Sequence, residues 1–247
     1  MKKFNFSVII PVLNEEKYIE SILTSLEDQT YKNFKVIIVN NGCTDNTVRI
    51  IRNYIKNSNL KIILVFCRQR GISYARNFGS KFARGEYLVF FDADGIVHKD
   101  WLKIAKFYLD KYSELQVLGG IDIFRSPRGL LASIYYNLHC VIGFSTIYLI
   151  QIILGNAQHI CGHNIAIKKD LFKQTGGFPH IVAEDIALTR KLIKILKGRN
   201  KILLKHNLIV HYSTRKFEKM GYVKTLWEQI RGYKKKTNSK DYKIARE

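Results

Sequence analysis

Apolar runs and helical periodicities alternate along the first 91 residues of the chain. Short runs rich in β-branched and aromatic residues predict strands over 7–12, 34–39, 61–66 and 87–91. Between them, apolar residues recur at helical spacing and predict helices over 19–26, 46–55 and 72–82. The order β-α-β-α-β-α-β predicts an α/β fold with a mainly parallel, Rossmann-like sheet, right-handed crossovers and helices on both faces.

A pair of carboxylates follows the last of these strands. Asp92 and Asp94, separated by Ala93, come directly after the apolar run 87–91. In an open α/β sheet, ligands bind at the carboxyl ends of the strands. Two hard oxygen donors at that edge suit Mg²⁺ or Mn²⁺ carrying a diphosphate. Aspartates after a strand also form turns and cap helices, so the pair alone leaves both interpretations open.

Composition narrows the class of protein. The chain has 247 residues and 47% hydrophobic content, which suits one α/β domain with an appendage. Lys and Arg outnumber Asp and Glu by 41 to 20, and the net charge of +21 favours nucleic acid, anionic lipid or phosphorylated substrates as partners. The four cysteines lie far apart and the N-terminus lacks the pattern of a secretory leader, so we expect reduced thiols in a cytoplasmic protein.

Several short motifs occur in an order that resembles the family 2 glycosyltransferases, which have the GT-A fold. The first half contains SVIIPVLNEE (7–16), NNGCTD (40–45), GISYARN (71–77), GEY (85–87) and FDAD (91–94). The second half contains GHN (162–164), GGFP (176–179) and the acidic pair ED (184–185). Each motif is short, but the ordered set extends over residues 6–215. The resemblance implies a metal-assisted, inverting transfer from a nucleotide sugar to a glycan or lipid-linked acceptor.

On the donor side, the resemblance implies a site for a nucleoside diphosphate sugar, with UDP as the expected nucleotide. The end of the first strand would line the nucleobase and ribose through Pro11, Val12, Leu13, Asn14 and Glu15. Asn41 stands where the family usually has an acid, and its amide can both accept and donate, so uridine is not secured.

The remaining donor residues lie around the acidic pair. Arg76 would border the nucleotide, and Asp92 and Ala93 would lie near the ribose. Asp94 would coordinate a divalent metal, Mn²⁺ or Mg²⁺, together with His211 as a third ligand in some relatives.

On the acceptor side, the resemblance implies that Glu184 and Asp185 supply the general base. Asp185 is the better candidate to remove the acceptor proton, with Glu184 orienting it or touching the acceptor. The loop that contains Gly162, His163 and Asn164 would contact the acceptor. Taken alone, an acidic pair at the start of a helix also complements the helix dipole.

Two further segments suggest an appendage that associates with membranes. No charged side chain occurs over 129–157, and residues 130–154 could form an interfacial helix pair, a buried core or oligomer contact, or a membrane span. Apolar residues over 215–236 alternate with Lys and Arg as in a basic amphipathic helix, either at an anionic membrane or packed on its own domain. We therefore predict a catalytic domain over 1–215 (1–98 for the donor, 99–215 for the acceptor) and a basic tail over 216–247.

Two other classes of protein compete with this interpretation. A nucleotidyltransferase also uses acids at a strand end, but it usually adds a glycine-rich basic loop that 11–14 lacks. A nucleic-acid-binding protein would explain the positive charge, yet aromatic residues do not interleave with the basic ones as in a recognisable RNA or DNA module. We expect a peripheral protein at the cytoplasmic face of the membrane, without nucleic acid as a partner.

Overall fold

The four predicted strands are neighbours in one half of an eight-stranded sheet, and the predicted helices connect them. The computed structural model describes residues 5–126, 128–138, 160–181, 183–196 and 201–215, together with Glu218 and Gly221. The strands are β1 (Phe6–Val12), β2 (Phe34–Asn40), β3 (Ile62–Phe66), β4 (Tyr87–Phe91), β5 (Ile96–Val97), β6 (Val117–Arg125), β7 (Asn164–Lys168) and β8 (Ile202–Ser213). The helices are α1 (Ile19–Glu27), α2 (Thr47–Asn57), α3 (Ile72–Ser80), α4 (Trp101–Lys111), α5 (130–138), α6 (Lys169–Gln174) and α7 (Glu184–Leu196).

Strand order shows where the prediction holds and where the sheet changes direction. The order is β3-β2-β1-β4-β7-β6-β8-β5, and the first four of these strands are parallel, as predicted. Beyond β4 the sheet is mixed, because β7 runs antiparallel to β4 and to β6, while β8 runs parallel to β6. One sheet therefore continues through the predicted donor and acceptor halves, and the boundary between them stays a prediction.

Helices cover both faces of the sheet, and each face has its own core. Side chains alternate along a strand, so Val8 and Ile10 of β1 join one core and Ile9 joins the other. The first core takes apolar side chains from α1, α2 and α4, whereas the second takes them from α3, α6 and α7. The strands of the central part are buried on both faces, which explains their continuous apolar runs.

The predicted appendage falls largely outside the described residues. The described residues include α5, where Leu130 and Leu131 are 75% and 83% exposed. They do not include residues 139–159, which contain the rest of the uncharged stretch. The predicted basic helix over 215–236 is also outside them, apart from Arg215, Glu218 and Gly221. Within the residues that are described, no helix has both the length and the apolar character needed to cross a bilayer.

Helix α3 approaches the sheet closely at Gly79, and we expect Gly79→Ala to destabilise the protein. A methyl group there would lie 2.7 Å from Cγ2 of Val39 and 2.8 Å from Cγ2 of Ile9. Overpacking of this kind costs about 1–3 kcal/mol in the free energy of unfolding, which urea denaturation measures. Ser21→Ala on the exposed side of α1 is the matched control and should change little. A Gly79→Ala protein as stable as the unmodified chain would contradict this packing.

Candidate active site

Two strand ends bring the predicted donor and acceptor segments together. Phe91, the last residue of β4, pairs with Asn164, the first residue of β7, in antiparallel register. The acidic segment 92–94 therefore leaves the sheet beside the segment 161–163 that enters it. The start of α7, with Glu184 and Asp185, lies against the same place, as the contacts below show.

Arg76 on α3 is the buried cation at the centre of this site. Only 2% of its side chain is exposed. Its Nη2 donates to Oδ1 of Asp92 at 2.8 Å, and its Nη1 donates to Oε1 of Glu184 at 2.9 Å. The guanidinium carbon also lies 5.0 Å from the centroid of the Phe178 ring. Arg76 therefore joins Asp92, the predicted donor-side acid, to Glu184, the predicted acceptor-side acid, and its place beside a nucleotide stays a prediction.

Asp185 is held separately from its neighbour Glu184. Its Oδ1 accepts a hydrogen bond from the backbone N–H of Ile186 at 2.8 Å, in the first turn of α7. Gly162 packs against it so closely that a Cβ there would lie 2.9 Å from Cβ of Asp185 and 3.2 Å from Nη1 of Arg76. The two acids thus have different surroundings: Glu184 pairs with Arg76, and Asp185 lies beside the 161–163 segment.

His163 forms an ion pair with Asp122, a residue that the sequence interpretation did not include. Nε2 of His163 lies 2.9 Å from Oδ2 of Asp122. Burial alone would lower the pKa of His163, but the Asp122 carboxylate outweighs it and raises the pKa to about 9. The ring also packs edge-on against Tyr212. His163 is therefore a cation at neutral pH, near Asp92 and Arg76, which both act on its charge.

Asp122, His163 and Cys161 also bring three potential metal donors together. Their ligand atoms lie within 4.8 Å of one another. Burial and the nearby Asp122 and Asp185 carboxylates raise the pKa of the Cys161 thiol well above its usual value. The sequence signal for Asp122 is a single acid between apolar residues of a strand. The pairing of β6 with β8 shifts register just before it: from Gly119 to Ile121 β6 advances two residues and β8 advances five, so Asp122 pairs with Val210.

Asn164 was predicted to contact the acceptor, and the structure gives its side chain a different use. It is fully buried. Its Oδ1 accepts from the indole N–H of Trp101 at 3.0 Å, and its Nδ2 donates at 3.0 Å to Oδ1 of Asp122 and to the carbonyl oxygen of Ile121. Asn164 thus supports Asp122 and the sheet with its side chain, and its contact with an acceptor stays a prediction.

Asp94 lies among carboxylates, as expected for a cation site. Its side chain is 15% exposed. Burial raises the pKa of Asp94 to about 6, the Asp92 and Glu15 carboxylates act in the same direction, and the Arg215 guanidinium opposes them. Oxygen donors that lack positive charge fit Mg²⁺ or Mn²⁺. Asp94 is therefore the candidate ligand for the predicted metal, and the Glu15 and Asp92 carboxylates act on its charge.

The structure does not bring His211 to these carboxylates. His211 pairs with Ile96 across β5 and β8, and successive side chains of β8 point to opposite faces of the sheet. The next residue, Tyr212, faces the site through a hydrogen bond to the carbonyl oxygen of His163. Burial lowers the pKa of His211, and the charged groups that act on it are Arg125 and His98. The predicted pairing of His211 with Asp94 is not found in this arrangement.

The two loops expected to hold the nucleotide, after β1 and after β2, are joined by hydrogen bonds. Oδ1 of Asn14 accepts from the backbone N–H of Thr44 at 2.8 Å, and the backbone N–H of Glu15 donates to Oγ1 of Thr47 at 2.7 Å. Asn14 has a positive φ of 55°, which turns the chain after β1. These bonds fix the segment of Pro11, Val12, Leu13 and Asn14 beside the loop that follows β2.

Asn41 holds three segments together with its side chain. Its Nδ2 donates to the carbonyl oxygens of Cys67 and Gln69 at 3.3 and 2.6 Å, and its Oδ1 accepts from the backbone N–H of Gly71 at 2.7 Å. The side chain is buried. Both amide hydrogens are engaged within the chain, so Asn41 positions the loops around the expected base pocket. Ala93, between the two acids, is also buried.

Comparison with known proteins identifies the family. The model of glycosyl transferase family 2 matches residues 7–176. The poly(ribitol-phosphate) beta-N-acetylglucosaminyltransferase TarS of Staphylococcus aureus is 37% identical over 109 residues, which are 43% of this chain and 19% of TarS. An uncharacterized glycosyltransferase of Haemophilus influenzae is 28% identical over 243 residues, which are 90% of this chain and 92% of that protein. The matched part is thus about a fifth of TarS but nearly all of the second relative.

Solved structures show the same fold. TarS 1–349 in complex with UDP-GlcNAc has a TM-score of 0.64 at 24% identity, over 85% of this chain and 58% of that one. The mannosyltransferase PcManGT from Pyrobaculum calidifontis, in complex with GDP-Man and Mn²⁺, has a TM-score of 0.66 at 23% identity, over 94% of this chain and 65% of that one. These likenesses confirm the predicted GT-A fold. Because the family model matches more than half of its length, the chain belongs to glycosyl transferase family 2.

Proposed function

We propose that the protein transfers a sugar from a nucleoside diphosphate sugar to a hydroxyl group of a glycan or lipid-linked acceptor, with inversion. The contact of Arg76 with both Asp92 and Glu184 carries this proposal. It holds a predicted donor-side acid and a predicted acceptor-side acid on the two Nη groups of one guanidinium. A direct displacement needs the donor and the acceptor held next to each other, because the attacking hydroxyl must reach the anomeric carbon as the diphosphate leaves.

On the donor side, the chain supplies binding groups and charge. The loops after β1 and β2 would enclose the base and ribose, with Asp92 accepting hydrogen bonds from ribose hydroxyls. Asp94, with Glu15 and Asp92 close by, would hold Mn²⁺ or Mg²⁺, which neutralises charge on a departing diphosphate when bound. Arg76 keeps Asp92 in place from beneath the site.

On the acceptor side, Asp185 would act as the general base. A carboxylate there removes the proton of the acceptor hydroxyl while the new C–O bond forms. Its neighbour Glu184 is occupied by Arg76 and would orient the start of α7 instead. His163 adds a positive charge next to this side of the site, which would favour an anionic acceptor or the developing charge on the donor.

The names of relatives suggest which substrates to test first. TarS acts on poly(ribitol-phosphate), and another relative, GgaB of Bacillus subtilis, is a minor teichoic acid biosynthesis protein. Solved relatives carry UDP-GlcNAc or GDP-Man. We propose a UDP-linked donor. Because Asn41 is engaged with the chain's own backbone, groups other than this side chain would have to select uracil.

The direct test is a screen of nucleotide sugars for binding and turnover. A ligand that binds only the folded protein raises its apparent stability, so the correct donor should raise the melting temperature when Mn²⁺ is present. Release of nucleoside diphosphate should then depend on an added glycan or polyol-phosphate acceptor. If no nucleotide sugar stabilises the protein with Mn²⁺ or Mg²⁺, the proposed function is wrong.

We expect Asp185→Asn to separate catalysis from donor binding. Loss of a positioned general base should lower kcat on the order of 10²-fold or more, while donor affinity stays near that of the unmodified enzyme. The matched variant is Glu184→Gln, which weakens the pair with Arg76 and should lower thermal stability as well as activity. Titration calorimetry with the donor and steady-state kinetics make the comparison. A normal kcat in Asp185→Asn would assign the base to another group.

The Asp122–His163 pair should make stability depend on pH. The pKa of His163 is about 9 in the folded protein and near 6.5 when unfolded, so the pair stabilises the protein fully below pH 6.5 and loses this effect as pH rises through 9. Asp122→Asn should lower the free energy of unfolding by about 1–3 kcal/mol at pH 6 and less at pH 9.5. Asp110→Asn, in an exposed pair with Lys106, is the control. Equal losses at both pH values would contradict a charged His163.

We also propose that the protein is peripheral to the cytoplasmic face of an anionic membrane. Leu130 and Leu131 on α5 are exposed, and the sequence from 215 to 236 is basic and amphipathic. Two weak membrane signals together give stable attachment where either alone is marginal. Basic residues add roughly 1 kcal/mol each near anionic lipid.

Co-sedimentation with liposomes tests this attachment. Binding should rise with anionic lipid and fall with salt, which screens the charges. Replacing Leu130 and Leu131 by Gln, or Lys234, Lys235 and Lys236 by Gln, should weaken it. The matched control is Phe107→Gln, because Phe107 is a similarly exposed apolar residue on α4. Binding that ignores lipid charge and salt, or no binding at all, would overturn the proposal.

A further inference from the structure

Arg215 reaches into the donor side of the site from the segment after β8. Its Nη1 and Nη2 each lie 2.6 Å from an oxygen of Glu15, so the two groups form a bidentate pair. Its Nε lies 3.2 Å from Oδ2 of Asp94. The guanidinium carbon lies 4.7 Å from the centroid of the Tyr18 ring. Arg215 therefore contacts both the segment after β1 and the carboxylate that suits a metal.

The charges around Arg215 explain its position. The Asp92 and Glu15 carboxylates both act on the charge of Asp94. Arg76 is already committed to Asp92 and Glu184, deep in the site. Arg215 is thus the cation in contact with Asp94 among the described residues, and it holds the oxygen that a divalent metal would bind.

We propose that Arg215 acts as an exchangeable counterion of Asp94 and as a binding residue for the donor diphosphate. This inference rests on the proposed function. A metal ion that binds alone must displace the Arg215 guanidinium from Asp94. It gives the displaced guanidinium no new anion to bind. A metal–diphosphate complex brings phosphate oxygens, which can accept a hydrogen bond from the Nε–H that leaves Asp94 while both Nη groups stay on Glu15.

Glu15 keeps the Arg215 guanidinium in the site during this exchange. The bidentate pair keeps the guanidinium near the segment after β1 while Nε leaves Asp94. The movement that the exchange needs is therefore a rotation of one side chain. Its consequence is that metal and nucleotide bind cooperatively, because each removes the obstacle to the other.

The experiment measures Mn²⁺ binding by the full chain, first without nucleotide. Electron paramagnetic resonance of free Mn²⁺ gives the affinity for the metal alone. Arg215→Gln should bind Mn²⁺ about tenfold more tightly than the unmodified protein, because Asp94 no longer has a competing cation. Arg215→Lys keeps the charge without the fork and should fall between them. Equal affinities in the unmodified protein and Arg215→Gln would overturn the proposal.

Nucleotide binding supplies the second measurement. In calorimetry with UDP and with GDP, Mn²⁺ should strengthen nucleotide binding in the unmodified protein. In Arg215→Gln, nucleotide binding with Mn²⁺ should be about tenfold weaker and the coupling to the metal should be reduced. Unchanged coupling in that variant would also overturn the proposal.

Two control variants separate an effect of net charge from an effect at Asp94. Arg84→Gln removes one positive charge from an exposed position and should leave Mn²⁺ binding unchanged. Asp94→Asn should abolish the binding of Mn²⁺ alone in both backgrounds, and tight binding without Asp94 would overturn the proposal. If neither UDP nor GDP binds with Mn²⁺, the proposed donor fails, whereas the measurement with metal alone still decides the role of Arg215.

Discussion

The buried guanidinium of Arg76 is the constraint on which the site depends. A charge taken out of water is costly unless it is paired and hydrogen-bonded, and Arg76 meets this requirement with two carboxylates from different parts of the chain. Removing either acid would leave a buried charge with fewer partners. Burial of the Arg76 side chain therefore requires that the end of β4 and the start of α7 both lie next to α3. The same contact that stabilises the site also sets its geometry.

The direction of β7 makes this meeting possible. A parallel strand beside β4 would enter the sheet at the opposite edge and carry its preceding loop away from Asp92. Because β7 runs antiparallel, Asn164 pairs with Phe91, and the loop before β7 lies next to the loop after β4. Gly162 then allows Asp185 to approach, and Asn164 anchors Asp122 from below. Mixed strand direction in the second half of the sheet thus serves the site.

Local patterns predicted the first half of the fold well, because parallel strands buried on both faces give continuous apolar runs. The end of a strand singled out Asp92 and Asp94, whereas the resemblance to the family singled out Glu184 and Asp185; the roles of all four stay predictions. Local patterns did not find Asp122 or Arg215, whose partners lie 41 and 200 residues away. They also could not tell which face of β8 carries His211, because β8 joins the sheet through pairing with β5 and β6. Periodicity describes neighbours along the chain, whereas these contacts depend on topology.

The charges of the site form an alternating series rather than a single acidic cluster. Glu184, Arg76 and Asp92 follow one another in contact, as do Asp94, Arg215 and Glu15, and His163 with Asp122 borders the series. Arg76 is buried and has its charge matched on both sides, so this part of the series is rigid. Arg215 is a third exposed and contacts Asp94 by one nitrogen, so this part can exchange partners. Arg76 is the buried cation between Asp92 and Glu184, and Arg215 is the partly exposed cation beside Asp94. Under the proposed function, the first fixes the geometry of the reaction and the second supplies adjustable charge for binding the donor.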